Sequence, residues 1–185
     1  MKNHPDVKLR ALEPDDVDII YNLENTADGW RYGYAPAPLS RFQIWQYIKT
    51  YDADPMSAGQ LRLMIDDEAG ATIGIIDLYD IDQANRRAKV GIIIVDSCRR
   101  RGYASAAIGR LAAYCRNNLG LHQLCAEVAA DNHISMALFA KAGFATVARL
   151  PQWFRHADRF TDCVVMTLPM ATATDATAPI SYIAD

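Results

Sequence analysis

The stretch that decides the fold runs from Val90 to Ser105, VGIIIVDSCRRRGYAS. An apolar, largely β-branched run leads into three arginines, a glycine and small residues. An amphipathic helix follows from Ala104 to Asn118. Strand, basic loop and helix start in that order make an anion site. The first backbone N–H groups of a helix lack intrahelical partners, and the helix dipole favours negative charge beside them. Gly102 permits a close backbone approach and a positive φ. Arg99, Arg100 and Arg101 add charge-assisted hydrogen bonds. Neither GxxxxGK(S/T) nor GxGxxG occurs in the chain, so the anion is held by neither a P-loop nor a dinucleotide fingerprint.

Outward from this segment the pattern alternates. Upstream, Val7 to Leu12 reads as a strand, and Pro14, Asp15 and Asp16 suit the first turn of a helix that ends near Asn25. A loop rich in Gly, Pro and aromatics, Asp28 to Leu39, precedes Ser40, an N-cap for a second helix through Ile48. After a loop from Ala53 to Gln60, strands over Leu61–Asp66, Thr72–Tyr79 and Ala88–Val95 are separated by turn-rich gaps, as in an antiparallel meander. Downstream, Ile108, Leu111, Ala112, Cys115 and Leu119 form the apolar stripe of the helix that Gly120 closes. Leu124 to Ala129 is the next strand, and strand–helix–strand at this spacing predicts a parallel, right-handed crossover. Asp131 or Asn132 caps a short helix ending at Gly143, and Phe144–Leu150 with Phe160–Leu168 closes the fold as a hairpin. The expectation is one mixed α/β (α+β) domain over residues 1–170. Its sheet is mostly antiparallel and flanked by helices, and residues 171–185 form a mobile tail of low complexity.

Composition narrows the function. Half of the 185 residues are apolar and the net charge is −3, so nothing in the balance calls for nucleic acid or an acidic membrane surface. The RRR run is only three residues long and opens a helix, and no nucleic-acid or membrane partner is expected. The cysteines Cys98, Cys115, Cys125 and Cys163 form no CxxC pair, and the four histidines are scattered, so they read as reduced thiols and no metal site. The N-terminus MKNHPDVKLR has no apolar signal region and no long apolar segment follows, which reads as a soluble, cytoplasmic protein.

Arg99-x-x-Gly102-x-Ala104 resembles the Q/R-x-x-G-x-G/A signature of the GNAT superfamily of N-acetyltransferases. Roughly thirty residues on, Glu127 to Phe144, EVAADNHISMALFAKAGF, is similar to the family's V-x-x-x-N-x-x-A/S-x-x-L-Y/F-x-K-x-G-F. The resemblance covers about Val7 to Leu168. It implies acetyl-CoA as co-substrate and a β-sheet in which the strand before the arginine loop splays from its parallel neighbour. The pantetheine arm then pairs with backbone amides of Ile92, Ile93 and Ile94, whose side chains also read as core. The pyrophosphate falls to Arg99, Arg100, Arg101, Gly102, Tyr103, Ala104 and Ser105, although three arginines alone read equally as a solvated loop. Asn132 serves as a helix cap, a cofactor contact, or both. Phe139 and Lys141 of the second segment join the cofactor set.

Acetyl transfer to an amine needs a held thioester and a proton acceptor for the amine. Glu127 is the candidate base. Its strand neighbours are apolar, and some members that acetylate protein N-termini carry glutamate at the matching position. The other reading is a strand-edge glutamate in water. Asp77 and Asp82 are weaker candidates for contacting the amine. Phe139 stands where many members have a tyrosine that protonates the leaving thiolate, and it has no hydroxyl.

Within the superfamily, the opening V-x-L-R-x-L-E at Val7–Glu13 looks like that of bacterial spermidine/spermine N-acetyltransferases, as do Leu23-Glu24-Asn25, Arg86-Arg87-Ala88 and FRHADRFTDCVVMTL at Phe154–Leu168. The wider group that acetylates ribosomal-protein N-termini shares these motifs. In the polyamine enzymes the loop between the first two helices carries glutamates. Here Arg31 to Arg41, RYGYAPAPLSR, contains no acid. The acceptor is therefore a primary amine such as spermidine or a peptide N-terminus, a non-catalytic acetyl-CoA-binding module is the third reading, and a homo-oligomer fits the polyamine group.

Overall fold

The computed structural model describes residues 5–27, 32, 37–52, 54–156 and 159–170; the expected tail, 171–185, lies outside the described residues. Seven strands form one sheet: β1 (Lys8–Arg10), β2 (Leu61–Asp66), β3 (Thr72–Asp82), β4 (Arg87–Ile94), β5 (Gln123–Ala129), β6 (Ala145–His156) and β7 (Arg159–Pro169). Their order is β1-β2-β3-β4-β5-β7-β6, and every neighbouring pair is antiparallel except the parallel β4–β5. The helices are α1 (Val17–Glu24), α2 (Arg41–Lys49), the single turn α3 (Pro55–Ala58), α4 (Tyr103–Asn117) and α5 (His133–Lys141). Helix α4 makes the β4-to-β5 crossover that the spacing of Val90–Ala129 predicts.

Local chemistry sets the element ends. The Ser40 hydroxyl accepts from the Gln43 N–H at 3.2 Å and the Gln43 side chain accepts from the Ser40 N–H at 2.8 Å, a reciprocal cap that starts α2. Asp54 caps α3 through the Met56 N–H, with Pro55 at the first helical position. The hairpin β6–β7 runs further than expected, because Pro151 suggests a strand end. It falls on an edge strand, within the irregular register between Leu150 and Phe154, where a missing N–H costs no ladder bond. The first strand is shorter than expected, since only Lys8, Leu9 and Arg10 pair with β2.

Both faces of the sheet are covered. On one, Val90 and Ile94 of β4 and Leu124, Ala126 and Val128 of β5 pack with Ala107, Ile108 and Leu111 of α4. On the other, Met64 and Ile75 pack with Ile20, Leu23 and Ile44 of α1 and α2, with Ile93 against them. Each fully buried Leu or Ile contributes roughly 1.5–3 kcal/mol, so β4 is anchored from both sides, whereas β5 is anchored through the α4 face. In β2, Leu61, Leu63 and Ile65 alternate with Arg62, Met64 and Asp66, yet this is not an inside–outside pattern, since Met64 on the second set is 0% exposed.

Candidate active site

The parallel ladder between β4 and β5 is short. Arg87 pairs with Gln123, Ala88 with Leu124 and Lys89 with Cys125, and there the register ends. Both strands continue on their outer sides, β4 against β3 as far as Gly74–Ile94 and β5 against β7 as far as Ala129–Cys163. Beyond Lys89 and Cys125 the two strands thus diverge at their C-terminal ends, and Gly91–Ile94 present backbone without a sheet partner on the inner edge. Their side chains are core at the same time: Ile94 is buried on the α4 face, Ile92 packs on that side and Ile93 on the other. Gly74 lies behind this segment. A β-carbon there would collide with the Ile93 carbonyl and come within 2.8 Å of the Ile94 side chain, so the end of β4 rests directly on β3 backbone.

At the end of β4 a 3₁₀ turn, Asp96–Cys98, leads into the arginines. Arg99 is tied inward: its Nε donates to the Ile94 carbonyl at 3.0 Å and its guanidinium meets Asp96 at 3.0 Å. Arg100 adopts a φ of 61° and Gly102 a φ of 93°, so the chain reverses here in the left-handed region. Arg100 and Arg101 are exposed, with Arg101 over the Tyr103 ring at 5.4 Å. Gly102 is the N-cap of α4 and has no side chain to offer. The first helical bond closes from Ala106 N–H to the Gly102 carbonyl, and the preceding N–H groups of Tyr103, Ala104 and Ser105 have no intrahelical partner. Uncapped donors, a helix dipole and two exposed arginines fit a polyphosphate. The adjoining unpaired strand edge fits an extended chain of amides.

Asn132 follows β5 and caps α5, its side-chain oxygen accepting from the Ser135 N–H at 3.1 Å. Its amide nitrogen faces no protein acceptor among the described residues. Phe139 is 4% exposed and meets Phe144 edge-to-face at 5.0 Å, so it contributes core rather than an open contact. Lys141 stands apart, exposed in the last turn of α5, roughly 13 Å along the helix from Asn132.

The face turned toward α1 and α2 carries charge. Strand alternation puts Lys89, Gly91 and Ile93 of β4 and Cys125 and Glu127 of β5 on this side. Glu127, 14% exposed, accepts from Lys89 Nζ at 2.7 Å, and the same ammonium lies 3.1 Å from Asp80. The Glu127 carboxylate, with Asp80 behind it, holds the Lys89 pKa above the ordinary lysine value despite partial burial. Apolar neighbours in sequence give no sign of Lys89, which comes from another strand.

Asp77 is engaged otherwise than expected. Arg62, its cross-strand partner in β2, grips it at two points, 2.8 Å each, and reaches Glu24 of α1 at 2.9 Å. Tyr47 stacks its ring on the same guanidinium, and burial pushes its phenol up to about 12. Asp77 is thus committed to a structural clamp, and Asp82 is bonded to Asn85 and Arg87 in the turn. The clamp joins residues far apart in the chain, and only the recurrence of charge on an otherwise covered strand face hints at it. Burial raises Cys115 to about 12 and Cys163 to about 11, so neither is a nucleophile near neutral pH. No cluster of metal-ligating residues occurs among the described residues, and no helix among them is long and apolar enough to cross a membrane.

This arrangement has relatives. The sequence profile of the Acetyltransferase (GNAT) domain matches residues 6–145. The chain belongs to the GNAT acetyltransferase family. It is 28% identical over 154 residues to the spermidine N(1)-acetyltransferase of Vibrio cholerae, covering 83% of this chain and 87% of that protein. A crystal structure of the Vibrio cholerae spermidine N-acetyltransferase in complex with CoA and spermine superposes with a TM-score of 0.80 at 27% identity, covering 88% of this chain and 95% of that one. A dodecameric structure of that enzyme matches with a TM-score of 0.76 at 27% identity over 88% of this chain and 93% of that one. The single-domain fold with one splayed parallel pair is therefore that of an N-acetyltransferase.

Proposed function

We propose that this acetyltransferase moves the acetyl group of acetyl-CoA to a primary amine, with a polyamine of the spermidine type as the leading acceptor. The observation that carries the reading is the divergence of β4 and β5. It is bordered on the α4 side by the arginine loop and uncapped helix start, and on the α1/α2 side by Glu127. Acetyl-CoA supplies the activated acetyl group. Tyr103, Ala104 and Ser105 N–H groups with Arg100 and Arg101 hold its phosphates, Arg99 fixes the loop to the strand, and the inner edge of Gly91–Ile94 with the Asn132 amide orients its amide chain. Glu127 takes the proton that the amine nitrogen loses as its bond to the acetyl carbon forms and the carbon–sulfur bond breaks. Phe139 offers no proton donor, so the departing thiol draws its proton from water, which a leaving group of pKa about 8–9 tolerates.

The polyamine acceptor is supported by the relatives named for spermidine. A protein N-terminus is the second reading, favoured by the acid-free segment Arg31–Arg41, which gives a polycation nothing to bind. The self-association expected of the chain is supported by the dodecameric relative. An acceptor panel of spermidine, spermine and tetrapeptides with free N-termini separates the two. Turnover of spermidine with none of the peptides is the expected result. Turnover of peptides alone moves the acceptor class, and thermal stabilisation by CoA with no turnover of any amine makes the protein a binding module.

A further inference from the structure

Resting on the reading of Glu127 as the proton acceptor, we propose that Lys89 is an internal stand-in for the substrate's ammonium group, which an incoming amine displaces onto Asp80. Lys89 is the last β4 residue paired with β5, so its side chain rises from the point where the strands part. Its ammonium lies 2.7 Å from the carboxylate that the acceptor nitrogen must reach. Two groups with the same chemistry thus compete for one seat.

The second half of the device is Asp80. Strict alternation along β3 turns residue 80 away from Lys89, because its neighbour Tyr79 is the residue opposite Lys89. The ladder is broken between Tyr79 and Asp82, and Asp80 takes a φ of 51°, which swings its carboxylate to within 3.1 Å of Lys89 Nζ. A bulge that re-aims one side chain is a specific structural device. The two carboxylates differ in setting: Glu127 is 14% exposed and Asp80 66%. Lys89, at 30% exposed, spans an inner and an outer partner.

Exchange conserves charge at each step. An ammonium that takes the inner seat leaves Glu127 paired, and Lys89 keeps Asp80, so no half-buried carboxylate is stripped of its counter-ion. A neutral ligand gives no such compensation, which makes the latch selective for cationic amines. The bound ammonium passes its first proton to water, and the amine so freed stays beside Glu127, which takes the second proton as the bond to the acetyl carbon forms.

The test is steady-state kinetics at saturating acetyl-CoA with spermidine, or with the panel amine that turns over best, on the parent enzyme, Lys89→Gln, Lys89→Met, Lys89→Arg and Asp80→Asn. Removing the competitor in Lys89→Gln or Lys89→Met is expected to lower the amine KM about fivefold, with kcat within about twofold. Titration calorimetry of the amine into CoA-bound protein should show the same gain. Lys89→Arg should keep the parent KM, and Asp80→Asn should raise it by removing the outer seat. Lys89→Gln/Asp80→Asn should match Lys89→Gln, because an absent lysine needs no refuge. A KM unchanged or raised in both Lys89→Gln and Lys89→Met overturns the proposal. Glu127→Gln separates the layers. If its pH–rate profile matches the parent, Glu127 is not the base and the exchange falls with it. If it differs while Lys89→Gln leaves KM unchanged, only the exchange fails.

Discussion

The two sides of the strand divergence are built from different material. The α4 side is made of backbone: an unpaired strand edge, an uncapped helix start and a loop turned by Gly102 at a φ of 93°. The α1/α2 side is made of side-chain ion pairs, Arg62 between Asp77 and Glu24 and Lys89 between Glu127 and Asp80. Backbone donors suit a ligand common to many acetyltransferases, since they do not depend on which side chains are present. Side-chain pairs suit the acceptor, which varies. The pairs also differ from each other. Arg62 is a planar fork with two points on Asp77, and Lys89 is a point charge on a flexible stem. One is a fixture and the other is exchangeable.

Four substitutions break this contrast, in falling order of effect. Glu127→Gln keeps the shape and removes the proposed base, and kcat should fall by about 10²–10⁴. CoA affinity should stay near the parent value, and the deficit should shrink at high pH, where more free amine is present. A pH–rate profile parallel to the parent's would remove Glu127 from the mechanism. Arg62→Leu should lower unfolding stability by about 3 kcal/mol, because Asp77 and Glu24 lose their shared counter-ion in a largely covered site. Denaturant titration reads this, and CoA should still raise the midpoint. Loss of CoA binding in the folded variant would show that the two sides are not separable.

Gly102→Glu acts on the other side. At about 100 times its Kd, CoA should stabilise the parent by roughly 2.7 kcal/mol. The variant should lose that gain while remaining folded, since a carboxylate at a left-handed position crowds and repels the phosphates. Normal CoA stabilisation would show the loop to be misassigned. Gly74→Ala is the subtlest. Its β-carbon pushes on Ile93 and Ile94, and overpacking of this kind costs about 1–3 kcal/mol. A drop in CoA affinity beyond the loss of stability is expected, and equal CoA affinity would show that the end of β4 shifts without consequence for the cofactor.

How much of this can be read from the chain follows from the same contrast. The α4 side is legible because strand, loop and helix start occupy Val90–Ser105 without interruption, and helix ends obey local rules. The parallel crossover follows from the spacing of the same elements. The α1/α2 side is assembled from β2, β3, β4, β5 and α1, and no local pattern couples Arg62 to Glu24 or Lys89 to Glu127. Asp77 and Asp82 look available for an amine because their counter-ions come from other strand and turn positions. The β6–β7 hairpin is under-read at Pro151 since an edge position and a local irregularity, both tertiary facts, are what make the proline harmless there.

The brevity of the parallel ladder has a mechanical meaning. Strands β1 to β4 form one leaf and β5, β7 and β6 another, stitched by Arg87–Lys89 against Gln123–Cys125. Further cohesion across the seam comes from α4, which packs against both leaves, and from the Lys89–Glu127 ion pair. A sheet joined this way has its weakest cooperative coupling along the line proposed for the cofactor. Whatever fills the seam restores contacts between leaves that the chain itself leaves out. Amide hydrogens of Gly91–Ile94 and Glu127–Ala129 should therefore exchange faster than those of β3 in the free protein and slow together when CoA is added, so that occupancy and rigidity of the enzyme rise as one quantity.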